Sequence, residues 1–289
     1  MDQPLFTGAC TALVTPFING LINYPLVKRL VERQIESGIQ AIVIAGTTGE
    51  SPVLTDMEKL ELFRVAKEQA NGRCLIIAGT GSNATEHSVA LSKAAQTIGV
   101  DALLLVAPYY NKGNQDSLYH HFVSIASAVQ IPVILYNVPS RTGVDLSVEL
   151  YRRLSRIPNI VGVKEASSDI TKIGKIRCEC GDQFHIWSGN DDQIIPTISM
   201  GGKGVISVLS NLFPAQTQAM CIAANNGDFV AASKIQCDMM HIINLLFKEV
   251  NPIPVKYAMK HVGFDCGGCR LPLGDPSVEL QTQIDQYFQ

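Results

Sequence analysis

Apolar runs in this chain, such as Val100 to Ala107 with Asp101 inside it, stop far short of the roughly 18 residues a membrane-spanning helix needs, so no membrane role is expected. Positive charge is not in excess either. The 23 Lys and Arg against 26 Asp and Glu leave a net charge of −3, without the basic field a phosphate backbone demands, and nucleic acid is not an expected partner. No basic residue precedes Lys28, so the charged start of a secretory signal is missing and the expected location is cytoplasmic. In that setting the eight cysteines are expected to stay reduced. There is no Walker motif, no HExxH and no support for a Ser or Cys triad. Low-complexity segments and charge runs are also missing.

What is present is a large apolar complement. With 46% hydrophobic and 17% charged residues, a chain of 289 residues can fill a sizeable core, which excludes disorder and small disulfide scaffolds. Short β-branched or Leu-rich segments recur at Ala9 to Val14, Ala41 to Ala45, Leu75 to Ala78, Ala102 to Val106, Val133 to Tyr136, Ile160 to Lys164, His185 to Ser188 and Gly204 to Val208. Between them apolar residues return with helical period, as in Leu26, Leu30, Val31 and Ile35 or Leu60, Phe63, Val65 and Ala66. Eight strands starting roughly 20 to 34 residues apart make a (β/α)8 barrel the expected α/β fold, with a doubly wound sheet as the alternative. Thr55 followed by Glu58 predicts a capping box, and Asn83 followed by Glu86 a similar helix start. Helical patterns at 215–225, 229–247, 255–261 and 278–287 follow the eighth strand. The first completes the barrel, giving a catalytic domain over 1–225 and a C-terminal helical region over 226–289.

Polar residues gather where the strands end: Gly46-Thr47-Thr48-Gly49-Glu50, Gly79-Thr80-Gly81, Pro108-Tyr109-Tyr110, Tyr136-Asn137, Lys164-Glu165 and Ser188-Gly189-Asn190. In a barrel that end is the active-site face. Lys164 closes an apolar strand, and strand alternation sets Gly162 and Lys164 on one face with Val161 and Val163 packing outward on the helices. Lysine inside the mouth is held where burial favours the neutral amine that Schiff-base chemistry uses; the alternative is a lysine that snorkels out or pairs with Glu165. Tyr136 faces inward by the same alternation and can relay protons, or it is a core tyrosine with a satisfied hydroxyl. Thr47 and Thr48 offer hydroxyls and backbone N–H groups that suit a carboxylate, although the same glycine-flanked pair can be a plain turn. Arg141 presents a planar fork for a carboxylate or makes a surface ion pair.

Several motifs lead elsewhere. Gly79-Thr80-Gly81-Ser82-Asn83-Ala84 fits a short dinucleotide pattern but opens the third unit rather than the first. Cys266 and Cys269 have metal-ligand spacing, and Cys178 and Cys180 form another pair, yet no partner set completes a site, so no metal and no cofactor are expected. His120 and His121 lie on an amphipathic helix with Leu118 and Phe122, where packing or solvent is the expected role.

Taken together, 46–51, Ala78-Gly79-Thr80-Gly81 with Asn83-Ala84-Thr85, Pro108-Tyr109-Tyr110-Asn111, 135–143, Val163-Lys164-Glu165-Ala166 and Asn251-Pro252-Ile253-Pro254-Val255-Lys256 are specific marks. From Phe6 to about Pro272 the chain resembles the dihydrodipicolinate (4-hydroxy-tetrahydrodipicolinate) synthase family of pyruvate-dependent class I aldolases. The resemblance implies a lyase of the diaminopimelate and lysine pathway that condenses pyruvate with aspartate 4-semialdehyde. Lys164 would form the imine, and Thr48, Tyr136 and Tyr110 would act as the proton relay, with Tyr110 reaching in from a neighbouring subunit. Thr47 and Thr48 would hold the pyruvate carboxylate, Arg141 the relay and the aldehyde's carboxylate, and Gly189 and Ile206 would line the pocket. A homotetramer built as a dimer of dimers is implied, with a dimer as the alternative. Feedback by lysine in sensitive relatives uses residues matching Ser51, Asp56, Lys59, Asn83, His87 and Tyr109; at 56, 59 and 87 this chain departs from their pattern, so weak or no inhibition is expected. Asn190 stands where relatives often have Asp. N-acetylneuraminate lyase and 2-keto-3-deoxy sugar-acid aldolases share the lysine and the first tyrosine, while Arg141 within Val-Pro-Ser-Arg-Thr-Gly favours the synthase. A non-catalytic barrel is disfavoured because no reactive position is missing.

Overall fold

Each apolar segment read as a strand becomes a stave of one closed barrel. β1 (Gly8–Ala12) is followed by a two-stranded antiparallel hairpin, β2 (Phe17–Ile18) and β3 (Leu21–Ile22). Then come β4 (Ala41–Ile44), β5 (Leu75–Gly79), β6 (Ala102–Val106), β7 (Val133–Asn137), β8 (Ile160–Glu165), β9 (His185–Ser188) and β10 (Gly204–Ser207). The eight longer strands are parallel, and β1 closes the ring by pairing β10 on one side and β4 on the other. That closure excludes the doubly wound sheet. The computed structural model describes residues 3–289; Met1 and Asp2, the start of the expected barrel range, lie outside them.

The hairpin escaped the reading of the sequence although its signal is there. Asn19 and Gly20 both have positive φ, 52° and 77°, as the tightest two-residue turn requires, and Asn-Gly is the pair that adopts it most readily. The strands it joins are too short to show alternation.

Around the barrel run α1 (Tyr24–Glu36), α2 (Asp56–Ala70), α3 (Thr85–Ile98), α4 (Gln115–Ser127), α5 (Pro139–Thr142), α6 (Val148–Leu154), α7 (Ile170–Cys180), α8 (Ile194–Ser199) and α9 (Pro214–Asn225). Three further helices follow: α10 (Phe229–Leu246), α11 (Ile253–Ala258) and α12 (Val278–Tyr287). α9 packs on β1, where Gln218 Oε1 accepts from the Ala9 amide at 2.7 Å. The capping box of α2 is formed: the Thr55 hydroxyl accepts from the Glu58 amide at 3.2 Å, and the Glu58 carboxylate accepts from the Thr55 amide at 2.8 Å. At α3 the expectation fails. Ala84 rather than Asn83 is the capping residue, so the helix starts one residue later than the pattern implies and no side chain caps it; the Asn83 main-chain carbonyl accepts from Asn111 Nδ2 at 3.0 Å.

Two apolar layers result. The larger lies between strands and helices; the smaller fills the barrel with Cys10, Val43, Ile77, Leu104, Trp187 and Ile206. Phe6 stacks on Trp187 with ring centroids 4.7 Å apart, and its carbonyl accepts from the indole N–H at 3.3 Å, so the interior is packed and no channel runs through it. At one position strand alternation is broken. Between Val133 and Ile134 the β7–β8 register slips, pairing Ile160 and then Gly162 and leaving Val161 unpaired. This bulge turns Val161 toward the inner layer, not outward on the helices, while Val163 keeps to the outer layer and Lys164 faces in.

Candidate active site

The polar ends of the strands surround a cavity of about 540 Å³. Thr47, Tyr136 and Arg141 line it, and so do Ser51, Asp56, Lys59, Asn83, His87 and Tyr109. Lys164 lies one layer deeper. It pairs with Tyr136 across β7 and β8, and its Nζ sits 4.3 Å from the centre of the Tyr136 ring. Gly189 explains how there is room: a Cβ at that position would come 2.5 Å from the Ala166 Cβ and 3.2 Å from Lys164 Cε. Ile206 is fully buried in the inner layer.

Four lysines are buried among the described residues: Lys59, Lys164, Lys172 and Lys256. Three face carboxylates. Lys256 Nζ lies 2.8 Å from Glu50 Oε1, Lys172 pairs with Asp145 and lies 3.8 Å from Glu165, and Lys59 lies 3.9 Å from Asp56. Lys164 has no carboxylate within ion-pair distance among the described residues. Its neighbour Glu165 points the other way and accepts from Tyr151 Oη at 2.8 Å, Asn137 Nδ2 at 2.9 Å and the Ser167 amide at 2.8 Å. The alternative of a Lys164–Glu165 pair is therefore excluded. A buried ammonium beside a carboxylate is held there by the pair, whereas Lys164, facing the Tyr136 ring, has no such tie.

The turn carrying Thr47 and Thr48 is built under strain. Ala45 and Glu50 take positive φ, 53° and 61°, and the turn closes through Glu50 N–H to Thr47 O at 3.0 Å and Ser51 N–H to Gly46 O at 3.2 Å. The chain's far end holds it. The buried Glu50 carboxylate accepts from Lys256 Nζ and from the Arg270 amide, both at 2.8 Å. The Thr48 hydroxyl accepts from Asn251 Nδ2 at 3.0 Å, and the Arg141 guanidinium donates to the Asn251 carbonyl at the same distance. Glu50, Lys256 and Asn251 stand among the specific marks of the sequence, and only the fold shows that they brace this turn. Lys256 could have been found by the argument that found Lys164, a lysine inside an apolar run.

Tyr110 stands apart. Its φ is 72° and its amide donates to Thr142 O at 3.3 Å, so the backbone is held while the side chain is 86% exposed. Asn190 donates to Gln193 Oε1 at 3.2 Å, and next to it the buried Asp191 accepts from the Val208 and Leu209 amides. Burial pushes that carboxyl above its ordinary range. In the outer cavity Asp56 is bridged by His87 Nε2 at 2.8 Å, and burial lowers the Lys59 ammonium below its ordinary value.

The other motifs are explained by packing. A Cβ at Gly79 would lie 2.3 Å from Ala45 O, and one at Gly81 would lie 2.4 Å from the Val106 amide nitrogen, so these glycines let neighbouring strands approach. All eight cysteines are free thiols. Burial pushes Cys266 and Cys269 up to about 12, far from the thiolates that bind metal, and no group of three metal-ligating side chains occurs among the described residues. Nor is any described helix long and apolar enough to cross a membrane.

Residues 5–289 match the model of the dihydrodipicolinate synthetase family. A relative from Acetivibrio thermocellus, a 4-hydroxy-tetrahydrodipicolinate synthase, is 46% identical over 275 residues, covering 95% of this chain and 94% of its own. Among solved structures, dihydrodipicolinate synthase DapA-2 from Bacillus anthracis superposes with a TM-score of 0.96 at 42% identity, covering 99% of both chains. The enzyme from Cyanidioschyzon merolae, solved with lysine bound, gives 0.95 at 39% identity and covers 98% of this chain and 97% of its own.

Proposed function

The chain belongs to the dihydrodipicolinate synthetase family and is a lyase that condenses pyruvate with aspartate 4-semialdehyde in lysine and diaminopimelate biosynthesis, and we propose that it does so through a Schiff base on Lys164. The observation that carries this assignment is the isolation of Lys164. It is the buried lysine without a carboxylate partner among the described residues, and it stands against the Tyr136 ring.

In this reading the Lys164 amine adds to the pyruvate ketone, and the carbinolamine loses water to give an imine. Loss of a methyl proton yields an enamine, whose carbon attacks the aldehyde of the second substrate. The amino group of that substrate then attacks the imine carbon, closes the ring and releases Lys164. Each stage moves a proton, and Tyr136, Thr48 and Tyr110 form the relay that carries it. Thr47 and Thr48 bind the pyruvate carboxylate, Arg141 that of the semialdehyde, and Gly189 and Ile206 complete the wall. Tyr110 works in a neighbouring subunit, a reading supported by a fixed backbone under an exposed ring. A homotetramer, a dimer of dimers located in the cytoplasm, follows from the same resemblance. The division into a barrel over 1–225 and a helical region over 226–289 is likewise our reading. The second region also serves the site, since Asn251, Lys256 and Arg270 hold the Thr47–Thr48 turn.

Trapping with pyruvate and borohydride tests the lysine. Peptide mapping should find one reduced adduct on Lys164, and an adduct on Lys256, Lys172 or Lys59 would sink the assignment. For the relay, Tyr110→Phe should slow turnover about 10- to 10⁴-fold in an assembled, folded protein. Full turnover there would remove Tyr110 from the relay.

A further inference from the structure

β8 carries one residue more than β7 can pair. Val133 pairs with Ile160 and Ile134 with Gly162, so Val161 is left over. Ile160 lies in the outer layer, and unbroken alternation from it would turn Gly162 and Lys164 outward and Val163 inward. The extra residue reverses that: Val163 packs in the outer layer and Lys164 stands at the Tyr136 ring. A regular pairing of the same strands would match Tyr136 with Val163 and Asn137 with Lys164. Lys164 is inside because the strand is bulged.

The backbone does not choose between these registers. Every residue here offers the same donor and acceptor, so ladders to β7 and β9 can form in either, and side chains decide. Gly162 permits the bulged one, since a Cβ there would lie 2.1 Å from His185 O. The choice is made one place beyond Tyr136 and Lys164, where Asn137 and Glu165 are paired and buried. Asn137 Nδ2 donates to Glu165 Oε1 at 2.9 Å and to Oε2 at 3.1 Å. The partners settle the direction of that amide: Oδ1 takes the Leu146 main-chain N–H at 3.1 Å, which can only donate, while Nδ2 faces the carboxylates of Glu165 and Asp145, which accept. Glu165 also accepts from Tyr151 Oη and the Ser167 amide, both at 2.8 Å, and lies 3.8 Å from Lys172 Nζ. In the regular register Glu165 would turn inward and leave these buried donors without it.

We propose that Glu165 and Asn137 are positioning residues that lock β8 in its bulged register and so keep Lys164 turned toward Tyr136 and the barrel mouth. This rests on Lys164 being the imine-forming lysine. Neither residue touches a reacting atom. Without the lock, β8 samples the register that turns Lys164 outward, and pyruvate reacts only with the inward fraction, which raises its apparent KM by the inverse of that fraction. Once the imine forms, the pyruvate carboxylate held at the Thr47–Thr48 turn keeps the lysine inside, so kcat is spared.

Glu165→Leu and Asn137→Leu each remove the lock from one strand at similar volume. Each should raise KM for pyruvate about 10- to 100-fold with kcat within about threefold of wild type, and borohydride at saturating pyruvate should still trap the adduct on Lys164. Because the two side chains make one bond, the double variant should cost no more than the worse single one. Glu165→Gln keeps an acceptor toward Asn137 and Ser167 and should hold KM within about threefold of wild type. Asn137→Leu reads the lock from the other strand if Glu165→Leu does not fold. Wild-type KM in either folded leucine variant would overturn the proposal, as would a loss confined to kcat or losses that multiply in the double variant. A rise in KM as large in Glu165→Gln as in Glu165→Leu would do the same, by showing that the charge acts in place of the bond. An adduct on another lysine of the wild-type protein would overturn the Schiff-base reading and this proposal with it.

Discussion

The inner and outer halves of the cavity are built on different supports. Tyr136 and Lys164 stand on adjacent barrel strands in direct register, and the Thr47–Thr48 turn springs from the end of a third strand. Asp56, Lys59 and His87 stand on α2 and α3, outside the barrel wall. Strand pairing sets the inner side chains to within a fraction of an ångström, and a change there must be absorbed by a closed ring of hydrogen bonds. Helix positions that face a cleft can exchange one polar group for another without disturbing the core. The inner half accordingly sets Tyr136 and Lys164 on paired strands, while the outer half carries an Asp56–His87–Lys59 cluster on helices.

Four measurements would break or sharpen this contrast. The largest effect is expected at Lys164: Lys164→Ala should lower kcat/KM by about 10³-fold or more and abolish the borohydride adduct, with the circular dichroism spectrum unchanged. Substantial residual turnover would mean that the inner half does not depend on this amine. Next, the brace behind the inner half is a buried ion pair, and removing one partner leaves the other charge uncompensated. Lys256→Met should therefore cost about 3–5 kcal/mol in denaturant unfolding, a loss that Glu50→Leu in the same chain should partly restore. If Lys256→Met leaves stability intact, the pair is not what secures the turn.

Behind the outer half, α3 packs on α4, where Thr85 Oγ1 bonds His121 Nδ1 at 2.9 Å and His121 Nε2 faces no polar partner among the described residues. Burial pushes this imidazole down to about 4, against an ordinary value near 6.5. Between those values the unfolded chain binds the proton and the folded one does not, so stability is fully present above pH 6.5 and declines as pH falls toward 4. The loss should reach about 3 kcal/mol at the lower limit and should be absent in His121→Gln. Equal acid slopes for the two proteins would show that His121 is not buried as a neutral ring.

The smallest effect concerns lysine itself. The Asp56 carboxylate is already engaged by His87 and Lys59, and the ammonium of Lys59 opposes a second cation in the same cleft. A free carboxylate would attract an ammonium by about 1–4 kcal/mol at contact, and among the described residues the cavity lining offers only the engaged Asp56. Submillimolar lysine should leave the rate unchanged, and strong inhibition in that range would show that the outer half reads its ligand by other means.

The sequence was most readable where contacts are local. Period-two alternation sufficed to turn Tyr136 inward and Val133 and Leu135 outward, and Thr55 with Glu58 announced its own capping box. Local reasoning also has a characteristic error. Alternation assumes an unbroken register, and the bulge at Val161 depends on how β7 and β8 happen to meet. The Asn83 cap failed because the helix begins after Ala84, one residue beyond the position the local pattern picks out.

By itself, the sequence determined the eight strands, the end of the barrel that carries polar chemistry and the lysine buried there, because period and burial are properties of short stretches. Tertiary structure decided which of four buried lysines stays without a carboxylate, and that a residue 203 positions from Thr48 holds its hydroxyl. Those outcomes depend on which charges and donors meet when the ring closes and the C-terminal helices fold back over its mouth. No local pattern encodes such a meeting, because the partners share no period and are joined only by packing.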